Sequence, residues 1–524
     1  MSQANAQSFV VPAWVNASLL QGTLRGIERE SLRMQHDGYL SQLSHPKGLG
    51  SALTHPHITT DYSEALLEFI TPPQSSITAA LAYLTDIHAV VNQQLAEGEK
   101  LWPMSMPCML DQDEQQIRLA EYGSSNIGLF KTLYRKGLGV RYGRRMQTIA
   151  GVHYNISFPD NLFLELQKNE LDPQLKKLSL QDYRSQRYFG MIRNFIRFIP
   201  MVVYLLGASP TVCRSFLIGR EHHLTPLVGG TLHLPYATAL RMGKHGYQNS
   251  AQKQLGIHYN NLDAYLQGLQ RAIKTPYPEF TALGLDDEQG EPIQINDHVL
   301  QIENEYYSLI RPKQIPQANE TPSQALQNRG VAYVELRAVD VNPYSPIGID
   351  EHSAAFLEVL ALYCLLQDSP EISETEQSLI EQNHLAVVEQ GRAPKLNIQT
   401  PQAIYTLTDW LNLHLNAMQT LAGLFDESSQ SVLYSSALAT MLIRTQDPSK
   451  TPSARVIEDM LHFGGTWKMG SDLAQNHTAQ LQQHQLSAEQ QDYFTALVQQ
   501  SLDAQQQLEQ QPAPPFTEYL QQFR

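Results

Sequence analysis

The sequence predicts an α+β fold: a mainly antiparallel sheet in the first two thirds of the chain, helices packed around it, and a helical last third. Three observations point there. Short strand-like runs, ALLEFITPP (65–73), the cleanly alternating GVHYNISFP (151–159) and VAYVELRAVDV (331–341), are closed by proline or by NPYSPIG, as strands are. Residues 161–217 carry helical apolar spacing through Tyr188, Met191, Ile192, Phe195 and Phe198. Residues 351–509 keep helical spacing and good helix formers almost throughout, as in EHSAAFLEVLALYCLLQ and SAEQQDYFTALVQQSLDAQQQLEQQ, whose glutamine-rich end reads as a solvated helix face.

Between these regions the pattern is mixed. IQINDHVLQIENEYY (293–307) looks strand-like, and the polar stretch 311–330 reads as an exposed loop. One catalytic domain is expected over 1–524, sheet-bearing to about residue 350 and helical beyond it.

Composition narrows the function. With 524 residues, 42% of them hydrophobic, the chain can build a large core. A net charge of −15 argues against nucleic-acid binding, although a local basic pocket or a metal can still receive an anionic substrate. Cys108, Cys213 and Cys364 are odd in number, far apart and without a CxxC, so neither a disulfide framework nor a zinc motif is expected. A reduced, cytoplasmic setting follows. No basic-then-apolar leader opens the sequence. The longest apolar run, Ile199–Ala208, is about half the roughly 20 residues that span a bilayer, so it reads as a buried helix and no membrane association is expected. GxxxxGK[ST], GxSxG and HExxH are absent, so an ATP enzyme here would hold phosphates with metals and arginines.

Several segments carry candidate chemistry. LRGIERESLR (24–33) is either a charged helical surface turn or a strand with Glu28 and Glu30 on one face. Two buried carboxylates side by side need a cation, and hard cations such as Mg²⁺ take oxygen ligands. TTDYSEALLEF adds Asp61, Glu64 and Glu68, the last inside an apolar run, where it is costly unless paired or metal-bound or facing solvent at an edge. In GVHYNISF, Val152, Tyr154 and Ile156 form one face, and His153, Asn155 and Ser157 the other. VAYVELRAVDV puts Glu335 and Arg337 together at i,i+2, either an exposed ion pair or a metal ligand beside a phosphate- or carboxylate-gripping fork. Read as a strand, VLQIENEYY aligns Gln301, Glu303, Glu305 and Tyr307, followed by Arg311 and Lys313 as candidate phosphate contacts. A basic cluster, Arg135, Lys136, Arg141, Arg144 and Arg145, either neutralises an anionic substrate or pairs with the chain's acids.

The segments GIERESLR, GSALTHPHITTDYSEALLEFITP, WPMSMPC, EYGSSNIGLFKTLYRKGL, RYGRRMQTIAGVHYNISFP, LLGASP, LPYATALRMGKHGY, IENEYYSLIRPK and VELRAVDVNPYSPIG resemble, in order from about residue 20 to 365, the γ-proteobacterial type of glutamate–cysteine ligase. The resemblance implies the glutamine-synthetase-like fold, a curved antiparallel sheet with helices outside and substrates on its concave face. It implies ATP as co-substrate, Mg²⁺ (or Mn²⁺) as cofactor, L-glutamate and L-cysteine as substrates, and a γ-glutamyl phosphate intermediate on the way to glutathione. A monomer is expected.

By motif position, Glu28, His153 and Glu335 resemble ligands of one Mg²⁺, and Glu30, Asp61 and Glu68 those of a second. Arg337, beside Glu335, resembles the catalytic residue that meets the transferring phosphoryl group. Tyr134, Arg135, Leu138, Gln147, Arg241, Tyr247 and Tyr307 resemble the acceptor and glutamate pocket, with the cysteine side chain near Tyr247 and Tyr307. Tyr306 stands where the family pattern has leucine. The residues alone leave three other readings open: a ligase for another amine, a metal-dependent phosphohydrolase, and a non-catalytic binding protein.

Overall fold

The computed structural model describes residues 9–107, 109–244, 246, 256–317 and 320–524. Tyr247 lies outside the described residues. The principal sheet is built on β1 (Leu24–Met34), the longest strand, which is paired along both edges. β2 (Ile58–Thr60) and β3 (Leu66–Ile70) lie to one side; β4 (Lys100–Leu101) pairs with the end of β1; β5 (Val152–Ser157) lies to the other side. β6 (Thr211–Cys213), β7 (Thr225–Pro226) and β8 (Thr231–His233) form a separate small sheet. β9 (Ile310–Lys313) and β10 (Tyr333–Val339) complete the main sheet in the order β2-β3-β1-β5-β10-β9, every neighbour antiparallel. A last hairpin joins β11 (Asn397–Gln399) and β12 (Ile404–Thr406).

Alternation divides the sheet into two chemical faces. Ile27, Leu67, Phe69, Val152, Tyr154, Ile156, Val334 and Leu336 are buried in the core. Helices Ile77–Gln94, Leu180–Leu205 and Glu351–Leu366 pack against these strands. Glu351–Leu366 is buried around nearly its whole circumference, which explains its unbroken apolar run. Its one embedded acid, Glu358, accepts Nε and Nη2 of Arg25 on β1 at 2.7 and 3.0 Å, and the hydroxyls of Tyr154 on β5 (2.6 Å) and Tyr434 (2.8 Å). Arg25 and Glu358 are 4% and 0% exposed, so a completely bonded ion pair ties the sheet to the C-terminal helices.

Two local expectations are corrected. Residues 301–307 do not form a strand: Glu303–Glu305 is a 3₁₀ turn, and Glu303 turns away to accept from Ser323 N at 2.9 Å. The stretch 311–330 is not wholly a loop: it opens in β9 and contains the helix Pro322–Arg329, started by a reciprocal Thr321–Gln324 capping box. Among the described residues no helix is long and apolar enough to cross a membrane, and Cys364 is a buried free thiol.

Candidate active site

The opposite face of the sheet is polar and forms the floor of a cavity of about 360 Å³. Register builds it. Glu30 stands directly across from Glu68 on β3, and Glu28 across from His153 on β5. Asn155 stands across from Glu335 on β10, which itself faces Arg311 on β9. The β5–β10 register shifts between Leu336 and Val339, so the ladder is interrupted at Arg337, a common device for re-aiming a side chain.

All the described residues proposed for the site from the sequence line this one cavity: Glu28, Glu30, Asp61, Glu68, His153, Glu335 and Arg337 on the floor, and Tyr134, Arg135, Leu138, Gln147, Arg241 and Tyr307 in the walls. The two expected metal groups therefore share one cavity. Among the described residues Glu28, Glu68 and His153 offer ligand atoms within 4.8 Å of one another, a trio that draws from both groups.

Hydrogen bonds fix the floor. Glu28 accepts from His153 Nδ1 at 3.1 Å and from Asn155 Nδ2 at 3.0 Å. His153 Nδ1 also lies 3.5 Å from Arg337 Nη1, but one ring nitrogen cannot both donate and accept, and the shorter carboxylate contact makes it the donor. Nε2 is then left with a lone pair facing Glu30 Oε1 at 3.7 Å, an opposition that only a proton or a cation relieves. Glu30 Oε2 accepts from Gly151 N at 2.7 Å. Glu335 Oε1 receives Lys313 Nζ and Arg337 Nη1, each at 3.2 Å, while its Oε2 and Asn155 Oδ1 are buried acceptors without a donor among the described residues.

The charges separate into two regimes. Burial, reinforced by Glu28, Asp61 and Glu30, pushes the Glu68 carboxyl well above its ordinary range. Burial likewise raises Glu30, and Asp61 adds to it. Burial opposes ionisation of Glu335 too, but Lys313, Arg337, His153 and Arg311 hold it well below the usual value. Glu28 is kept low, against burial and Glu335, by its His153 bond and by Lys313. One side of the floor is thus an acid cluster short of cations, and the other a carboxylate already compensated by lysine and arginine. The donor set on the deficient side, carboxylate oxygens and an imidazole, fits a hard divalent ion.

The walls are held from behind. Arg135 donates to the carbonyls of Asp61, Thr60 and Lys131 and stacks over the Tyr122 ring at 4.5 Å. Arg241 is held by Asp340 Oδ1 at 2.9 Å and by the carbonyl of Val339 at 2.8 Å. The rest of the basic cluster disperses: Lys136 lies 3.8 Å from Asp287, Arg141 pairs with Glu305 at 3.1 Å, Arg144 donates to the Ile117 carbonyl at 2.9 Å, and Arg145 pairs with Glu114 at 3.1 Å. Glu64 is a buried acceptor for the backbone N–H groups of His45 and Glu121 and does not line the cavity.

Thr59, Thr60, Lys131, Tyr142, Met146 and Asn304 line the cavity without having been singled out from the sequence. Lys131 and Tyr142 were within reach: with Tyr134, Arg135 and Leu138 they share one face of the helix Asn126–Tyr142, at three- and four-residue spacing. The others arrive through chain folding and leave no local signal.

Comparison with known proteins gives a consistent answer. Residues 12–387 match the family model described as glutamate-cysteine ligase. Glutamate–cysteine ligase of Saccharophagus degradans is 45% identical over 519 residues, covering 97% of this chain and 95% of that protein. The Azotobacter vinelandii enzyme of the same name is 44% identical over 512 residues, covering 97% and 96%. A crystal structure of glutamate–cysteine ligase from Francisella tularensis in complex with AMP superposes with a TM-score of 0.88 at 36% identity, covering 96% of this chain and 97% of that one. A bifunctional glutathione synthetase from Pasteurella multocida gives 0.68 at 25% identity over 92% of this chain and 56% of that one. The sheet that carries the acid cluster, the arginine that closes it and these likenesses over nearly the whole length agree: the chain belongs to the glutamate–cysteine ligase family.

Proposed function

We propose that this cavity joins the γ-carboxyl group of L-glutamate to the amino group of L-cysteine, converting ATP to ADP and phosphate in the cytoplasm as the first step of glutathione biosynthesis. The observation that carries the reading is the pairing, on one sheet face, of a cation-deficient acid pair (Glu30, Glu68) with a compensated carboxylate–arginine pair (Glu335, Arg337). The AMP complex of the Francisella relative supports an adenine nucleotide as co-substrate.

Mg²⁺ or Mn²⁺ held by Glu28, His153 and Glu335 on one side, and by Glu30, Asp61 and Glu68 on the other, would supply neutralisation of the phosphate oxygens. The chain's own residues do the rest. A γ-carboxylate oxygen of glutamate attacks the terminal phosphorus of ATP, and the bond from that phosphorus to the ADP oxygen breaks. Arg337 stands where charge moves in this step, and its planar fork grips phosphoryl oxygens as a point charge cannot. The cysteine nitrogen then attacks the acyl carbon, the carbon–oxygen bond to phosphate breaks, and the amine proton passes to a phosphate or carboxylate oxygen. Arg135, Arg241 and the tyrosines orient the two amino acids and exclude water, which would otherwise hydrolyse the acyl phosphate.

A screen of amines with glutamate, ATP and Mg²⁺, reading ADP release and the peptide formed, tests the proposal. Cysteine-dependent ADP release with γ-glutamylcysteine as product supports it. Amine-independent release would make the site a phosphohydrolase, and release with another amine alone would make it a different ligase.

A further inference from the structure

The wall that carries Tyr134, Arg135 and Leu138 has its own fastening. The helix Asn126–Tyr142 turns one face to the cavity and the other to the last residues of the chain, helix Phe516–Leu520 and the 3₁₀ turn Gln521–Phe523. Leu520, 1% exposed, sits in a small apolar cluster with Leu133 and Ile295, against which Phe130, Tyr134 and Phe516 pack. Phe523 and Tyr519 lie against Phe130, with ring centres 4.6 and 6.1 Å away. Asn126 Nδ2 donates to the Pro514 carbonyl at 2.9 Å, so the contact runs on to the start of the helix.

The same residues grip a second wall segment. Asn296 Nδ2 donates to the carbonyls of both Phe523 and Gln301, at 3.1 and 3.2 Å, and Arg524 pairs with Asp286 at 2.5 Å. Gln301 then ties this loop to the helix and to the cavity. Its Nε2 donates to the Tyr134 carbonyl at 3.2 Å, and its backbone N–H donates to Glu305 Oε2 at 2.7 Å. Glu305, like Tyr307, lines the cavity.

We propose that residues 516–524 are a positioning strap: they clamp the helix 126–142 against the 294–305 loop and so set the spacing between Tyr134, Arg135 and Leu138 on one side and Glu305 and Tyr307 on the other. None of the strap residues lines the cavity; they act through Leu133, Phe130 and Asn296. The inference rests on the reading of this wall as the amino-acid pocket. The strap touches neither the acid cluster nor Arg337, so loosening it changes how the amino acids are held and leaves phosphoryl transfer at saturation alone.

The test is steady-state kinetics on the chain ending at Pro515 and on the point variant Leu520→Ala, with Leu138→Ala as a control inside the pocket. Both strap variants are expected to raise KM for glutamate or cysteine about tenfold, with kcat and KM for ATP within about twofold of the parent. A KM within twofold of the parent in both strap variants, while Leu138→Ala raises it, overturns the strap. So does a fall in apparent kcat in step with lost folded protein with the KM values unchanged, which would make the segment merely structural. If Leu138→Ala leaves amino-acid KM unchanged, the pocket reading itself fails.

Discussion

Glu30 and Glu68 face each other directly across the β1–β3 ladder, and the floor between them holds more negative charge than its own residues compensate. Chelation should abolish activity, and Mg²⁺ or Mn²⁺ should raise the unfolding midpoint of the chelated protein. Glu68→Gln should do two opposite things: lower kcat by about 10²-fold or more, and stabilise the chelated protein by about 1–2 kcal/mol in urea titration, because one repelling carboxylate is gone. A variant that is neither less active nor more stable without metal would return Glu68 to a structural role.

Arg337→Lys keeps the charge and loses the fork. The expected result is a fall in kcat on the order of 10²-fold with little change in KM for ATP. A change confined to KM would place Arg337 in ground-state binding.

The acceptor pocket should read shape more than hydrogen bonding. Tyr307 lines the cavity while its hydroxyl reaches Met242 Sδ, outside the lining, at 3.7 Å, so the ring offers an aromatic surface suited to a thiol. Cysteine and 2-aminobutyrate should both be accepted, and serine disfavoured by about 10–200-fold in kcat/KM. Serine matching cysteine while 2-aminobutyrate fails would show a pocket that reads a hydrogen bond.

Stability should fall in mild acid for reasons far from the floor. Burial lowers His55 to about 4, with His57 adding to it, and lowers His477 to about 4, with Arg29 adding. A histidine depressed in the folded state takes up its proton more readily when unfolded, so its stabilisation is complete above the ordinary value of 6.5 and is lost as pH falls from there toward 4. Each group contributes at most about 3 kcal/mol. Urea unfolding between pH 7 and pH 4 checks the slope, which His477→Gln should reduce.

The floor of the cavity was only partly legible in the sequence: strands write their faces in alternate residues, but LRGIERESLR left a helical turn equally open. Glu28/Glu30, His153/Asn155 and Glu335/Arg337 are each a two-residue step, and each strand's register then brings the pairs together. The segment 301–307 misled for the same reason. Gln301, Glu303, Glu305 and Tyr307 alternate like a strand, but the turn at Glu303–Glu305 sends Glu303 outward and leaves Glu305 and Tyr307 facing inward. The basic cluster left two readings open, and for most of it pairing with the chain's acids holds: the five cations, within eleven residues of a helix and its exit, point in several directions, and Arg135 alone of them lines the cavity. The strap was invisible, because nothing in FTEYLQQFR names the distant helix it grips.

The Arg25–Glu358 pair decides how this chain can be cut and recombined. A fragment ending near residue 350 would keep every described floor residue but strand the Arg25 guanidinium and the Tyr154 hydroxyl in an apolar layer, and breaking such a pair costs about 3–5 kcal/mol. The sheet that floors the cavity is therefore not a transferable cassette. Grafts onto other helical partners would have to bring their own buried acid at that spot, or replace Arg25 and Tyr154 with apolar residues of similar volume.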